Sequence, residues 1–218
     1  MTDPSRNRCT LLALTGVAAA ILVNYWIAGP LLGVDHDPGF SWISDLAARG
    51  EDGNWRFALL DALSGAVVIG FGVLLWPALS CGEGAGASRW GTVLLIVSGA
   101  LAIADAFLPM SCGRSLGTDC VRADDLVDGL HRVESALAVL VTGGAMLLVG
   151  LGSRARRARA LALLSLVAGA VFLLLNLLIA LRTSVEPFNE AKGWFQRGGQ
   201  VVLGTWLLGL ALFRSRDR

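Results

Sequence analysis

The residues of this chain able to do chemistry gather in a few short stretches. "DGLHRVES" (128–135) places Asp128, His131 and Ser135 at i, i+3 and i+7, which is one face of a helix, and Thr142 continues it. "SWISDLAA" supplies Ser44 and Asp45, "IADAFLP" supplies Asp105, "DHDPG" holds His36, and "GWFQRGGQ" holds Arg197 and Gln200. Imidazole beside carboxylates supports two chemistries. One is a zinc site on His36 and His131 with Asp45 or Asp105. The other is metal-free acid/base work, with His131 as base, Asp105 or Asp128 orienting it, and Ser44 or Ser135 as nucleophile. Neither an HExxH nor a nucleophile-elbow motif is present. The third reading is structural, with Asp45, Asp105 and His131 paired to Arg197 or Arg182. That is the expectation; no metal and no cofactor is expected, and zinc is the alternative.

The elements that must carry these groups follow from hydropathy. Of 218 residues, 55% are hydrophobic and only 16% charged, with mean hydropathy +0.64, against roughly a quarter charged in soluble domains. The apolar excess falls in six runs, about 10–33, 57–79, 91–110, 128–151, 160–181 and 197–213. Most are long enough to cross a hydrocarbon core of about 30 Å. The first run is too long for a signal peptide, and Ala18, Ala19 and Ala20 lie inside it rather than after it. Nothing alternates as a barrel strand would, so the fold class is all-α: a single polytopic domain of six transmembrane helices.

Charge sets the orientation. With the N-terminus in the cytoplasm, the inner segments hold Arg6, Arg8, Arg89, Arg154, Arg156, Arg157, Arg159, Arg214, Arg216 and Arg218 against only Asp3, Glu83 and Asp217. Short basic loops stay inside, so both termini are expected there. The Arg-rich loop 153–160 is then a topology signal that also suits anionic headgroups. Cys112 and Cys120 fall in an outer loop, where an oxidising compartment permits a disulfide; Cys9 and Cys81 fall at inner ends. Asp61, Asp105, Asp128, His131, Arg182, Glu186, Arg197, Gln200, Ser44 and Asp45 all belong to the outer side and are expected to share one polar mouth. Ser165 and Asn176 lie deeper. The outer loop from Val34 to Arg56 should carry a short interfacial helix over "SWISDLAA". Trp55, Trp76, Trp90, Trp194 and Trp206 sit near run ends, as an aromatic belt does. Ala62, Ala66, Gly70, Gly143, Gly144 and Gly169 would allow close helix approach. The partners expected are membrane lipids, not nucleic acid, and no protein partner is assigned. The Ala/Leu/Gly/Arg bias, with one Lys and one Tyr, suits a high-GC bacterium and its cytoplasmic membrane.

Four stretches carry a family resemblance: "ISDLAARG" after helix one, "FLPMSC" with a second Cys after helix three, "DGLH" opening helix four and "GWFQRGGQ" opening helix six. Together they resemble the six-helix bacterial membrane family numbered 998 among the domains of unknown function. The resemblance implies a six-helix bundle with a shared polar site on Ser44, Asp45, Asp105, His131 and Arg197. More distantly the chain is similar to Frag/DRAM/Sfk-type membrane proteins, tied to lipid handling, and to ceramidase/adiponectin-receptor-like hydrolases. The hydrolases use a Ser, an Asp and three histidines around zinc; this chain has two histidines in all. The function expected is an integral membrane protein of unassigned, lipid-related role. The alternatives are a membrane-embedded hydrolase of a lipid or amide and a small transporter, the latter weakened by the lack of an internal repeat.

Overall fold

A computed structural model describes residues 4–34, 37–80, 82–113, 126–155, 158–182 and 191–216, excluding the side chains of 4–6, 182 and 214–216. His36, Cys81, Cys120 and Glu186 lie outside the described residues, as does the side chain of Arg182. Six α-helices follow in order: α1 (Pro4–Leu22), α2 (Asn54–Leu79), α3 (Ala85–Ala106), α4 (Leu126–Ala155), α5 (Arg159–Arg182) and α6 (Lys192–Arg216). Four of them, α2 to α5, are long and apolar enough to cross a membrane. Each helix packs on its neighbours in sequence, and α6 closes against α1. The result is a ring around a central axis.

The ring is arranged as lipid demands. Leu14, Leu63, Leu140, Leu163 and Leu174 are exposed on its outside, while Asp45, His131, Glu134 and Arg197 are buried within. Among the described residues there is no strand, so each spanning segment satisfies its own backbone.

Helix ends depart from the hydropathy runs for local reasons. Helix one, expected over about 10–33, stops at Leu22. Two 3₁₀ turns follow it, Tyr25–Ala28 and Pro30–Leu32. Asn24 turns its amide back to the Ala20 carbonyl (3.0 Å), Pro30 lacks an N–H, and Gly33 takes φ +78°. Helix three ends at Ala106, short of Leu108, whose helical conformation Pro109 disfavours. The short helix expected in "SWISDLAA" is a 3₁₀ turn, Ser44–Ala47.

Two expectations about packing need correction. Trp206 is not in a belt: it is fully buried, and its indole Nε1 donates to Ser165 Oγ at 3.0 Å. The α2–α3 crossing is not set by Ala66, which is exposed, nor by Gly70, which has nothing within 4 Å of its would-be Cβ. It is set by Gly65 and Gly99, each of whose would-be Cβ meets the other's carbonyl oxygen. Gly143 and Gly169 do sit at close contacts, against Leu173 and Leu147.

Candidate functional site

The axis of the ring encloses a cavity of ≈ 170 Å³ lined by residues of α2 to α6, with Val23, Tyr25, Ile43 and Ser44 from the chain between α1 and α2. Its upper wall includes Tyr25, Ser44 and Gln196; its lower wall includes Val68, Ser98, Thr142 and Leu203. The Ser98 and Thr142 hydroxyls share a hydrogen bond of 2.8 Å at that lower end. Further down the axis Phe71, Leu75, Leu95, Met146, Val149, Trp206 and Leu207 are fully buried and packed together. The cavity is therefore closed at its Ser98 and Thr142 end.

Helical periodicity aims the polar groups into it. On α2, Asp61, Ser64 and Val68 recur at 3–4 residue steps, as do Glu134, Ala138 and Thr142 on α4. Asp61 lies seven residues into α2 and Glu134 eight into α4, roughly 10–12 Å along each helix at about 1.5 Å per residue. Asp105 comes from the last turn of α3, at the same level because α3 runs the other way.

These groups touch. His131 Nδ1 is 2.8 Å from Asp105 Oδ1. Asp105, His131 and Glu134 each offer a ligand atom, all within 4.8 Å of one another. Asp61 stands within hydrogen-bonding reach of both Asp105 and the Tyr25 hydroxyl, and Glu134 within reach of Asp105 and Ser135. No Lys or Arg is among the described residues lining the cavity. Two carboxylates about 4 Å apart repel by roughly 4 kcal/mol at an effective dielectric near 20. A cluster of three is stable only when it shares protons, is offset by a protonated His131 or holds a cation.

The expected site residues divide into two sets. Asp105, Ser44 and Gln200 line the cavity, and His131 joins it through Asp105. The others serve the loops above it. Asp45, fully buried, accepts the Trp42 N–H at 2.7 Å. Asp128 accepts both the N–H and the hydroxyl of Ser111, each at 2.8 Å, and so fastens the chain leaving α3 to the start of α4. Arg197 is expected, with Arg182, to pair with Asp45, Asp105 and His131. Instead its Nη1 donates to the carbonyls of Pro38 and Ser41, both at 2.8 Å, with Trp26 stacked 5.4 Å away. A bare Gly193 lets that loop lie on the first turn of α6, since a Cβ there would meet the carbonyl oxygens of Pro38, Gly39 and Ser41. The expected pairing with Arg197 divides: Asp45 lies close enough to favour the guanidinium charge, while Asp105 and His131 form an acid–histidine cluster of their own. Of the zinc candidates, Asp45 is committed to its own turn.

Glu134 was missed, although it stands inside "DGLHRVES". Its signal is the i+3 step from His131, which puts both on one face. A second hollow, of ≈ 660 Å³, opens on the apolar flank between the end of α1 and α6. Tyr25 borders both it and the central cavity.

A ring of apolar helices around a buried acid–histidine cluster defines a membrane-type helical bundle with an internal polar site. The chain belongs to the family described as a protein of unknown function (DUF998), which matches residues 16–213. No curated protein and no solved structure matches it.

Proposed function

We propose that this chain is a multi-pass protein of a bacterial cytoplasmic membrane, crossing six times with both termini inside. Its work is done in the central pocket, which opens outward and receives a positively charged group. One observation carries the reading: carboxyls of Asp61, Asp105 and Glu134, from three helices, converge on one cavity whose described lining holds no Lys or Arg. Ionisable groups inside a spanning bundle are costly, and they mark functional sites by default. The apolar packing beneath the cavity favours binding over transport. A hydrolase of lipid is the second reading, favoured by the apolar hollow that shares Tyr25 with the pocket.

The pocket reading is tested by melting the purified chain with tetramethylammonium, sodium, calcium and zinc salts. At least one cation is expected to raise the melting temperature, by up to about 2.7 kcal/mol of added stability at a hundredfold excess over its dissociation constant. An Asp61→Asn/Glu134→Gln variant should lose that response. A wild-type chain indifferent to all four overturns the reading.

The topology, and a Cys112–Cys120 disulfide in the outer loop, have a separate test. In intact cells a membrane-impermeant maleimide should label Cys112 and Cys120 only after reduction. Labelling that requires lysis would place this loop inside.

A further inference from the structure

Beside the cavity stands more than negative charge. Two of its lining carboxylates, Asp105 and Glu134, meet the imidazole of His131 directly behind them, on two adjacent helices. His131 and Glu134 sit one turn apart on α4 and are both buried, at 6% and 7% exposure. Asp105 approaches from the end of α3, with Oδ1 2.8 Å from His131 Nδ1. That oxygen is sealed from solvent and accepts no aligned hydrogen bond among the described residues.

We infer that Asp105, His131 and Glu134 bind one divalent transition-metal ion, zinc or manganese, at the outer end of the pocket. The inference rests on the pocket's being a site for positive charge and names the ion. Nitrogen and carboxylate donors bind such an ion at about 2.0–2.2 Å, so neighbouring ligand atoms stand about 3.4 Å apart in a tetrahedral arrangement. All three donor atoms here lie within 4.8 Å of one another, and the 2.8 Å pair has only to open by roughly half an ångström to reach that spacing. The donors exclude soft ions, which need thiolate or thioether. Neutral imidazole beside hard carboxylates suits zinc and manganese better than calcium, which takes six to eight oxygens.

The surroundings complete the site. Asp61 reaches Asp105 and is itself reached by the Tyr25 hydroxyl, the arrangement by which outer groups orient metal ligands. Three protein donors would leave one position of a tetrahedral ion open, and Asp105 and Glu134 both line the cavity.

The test uses the full chain purified in detergent, equilibrated with zinc chloride and passed through a desalting column. Elemental analysis should find about one zinc per chain. Cobalt in its place should give the visible absorption bands of a low-coordinate nitrogen–oxygen site. His131→Ala and Glu134→Gln should each abolish both signals, while Gly70→Ala, outside the cavity lining, keeps them. Asp61→Asn should weaken zinc roughly 10–100-fold, as loss of an outer-shell partner does. Each variant is compared by helical circular dichroism, and cobalt bands in the wild-type chain need no variant at all. Neither zinc retention nor cobalt bands in the wild type overturns the metal inference. If tetramethylammonium or sodium still stabilises that same chain, the metal inference fails and the wider reading of the pocket stands. Zinc that survives both His131→Ala and Glu134→Gln overturns the assignment of these ligands.

Discussion

Replacing Arg197 with alanine is expected to lower the melting temperature of the purified protein by on the order of 10 °C. Arg197 is 4% exposed, and its guanidinium donates to the carbonyls of Pro38 and Ser41 at 2.8 Å, with Gly193 O at 3.3 Å and Ser41 Oγ at 3.4 Å. Hydrogen bonds from a charged donor contribute about 1.5–3 kcal/mol each. Removing the donor strands buried carbonyls, and Trp26 loses the cation above its ring. Asp45 and Asp37 supply nearby negative charge that favours the guanidinium, and this attraction would be lost. Breaking a buried charged contact on one side costs roughly 3–5 kcal/mol. A chain of this size loses about 2–4 °C per kcal/mol. Lysine at 197 keeps the charge but not the fork that reaches two carbonyls at once, so Arg197→Lys should recover less than half of the loss. An Arg197→Ala protein that melts with the wild type would mean that the loop 37–43 is held by something else.

Arg197 also marks where sequence reasoning stops. The hydropathy runs locate the helices because lipid imposes one requirement on every spanning segment, and residue type alone reports it. That Asp61, Asp105 and His131 share one end of the bundle follows from the same runs. Which polar groups meet does not follow, because an arginine satisfied by main-chain carbonyls has partners that carry no signature in the side-chain sequence. Pro38 and Ser41 give no hint that their carbonyls await a donor 156–159 residues away. Glu134 failed differently: the signal was present, one turn from His131, and a motif read at i, i+3 and i+7 stepped over it. Trp206 lies near the end of an apolar run, as a belt residue would, yet it is fully buried. A buried partner for its N–H, Ser165 on α5, is what makes the interior accessible to it. Helix one was read too long because Tyr25, Trp26, Ile27 and Leu31 are apolar in type while Asn24, Gly29 and Pro30 decide the backbone.

The contact between α2 and α3 yields the second large effect, and with it a link from packing to the site. Gly65→Ala gains about 1 kcal/mol of helix propensity. Against this, the new Cβ would fall on the Gly99 carbonyl oxygen and beside the Ile103 side chain and backbone nitrogen. A main-chain oxygen has no rotamer to escape into, so the two helices must part. Overpacking costs roughly 1–3 kcal/mol, and a backbone-to-backbone clash belongs at the upper end. The net expectation is a loss of about 2 kcal/mol for Gly65→Ala, and a similar loss for Gly99→Ala, whose Cβ would meet the Gly65 oxygen. The double variant should lose less than the two losses combined, because a gap opened for one methyl accepts the other; coupling of this kind is expected for residues in contact. Gly70→Ala is the control: nothing lies within 4 Å of its Cβ, so propensity alone acts and the protein should melt no lower than wild type. Separation of α2 from α3 also separates Asp61 from Asp105, one turn before Gly65 on one helix and six residues beyond Gly99 on the other. Gly65→Ala should therefore weaken the cation response of the pocket while Gly70→Ala leaves it intact. Equal melting of the Gly65→Ala and Gly70→Ala proteins would show that the helices do not cross at Gly65 and Gly99, and the convergence of Asp61 with Asp105 would lose its support.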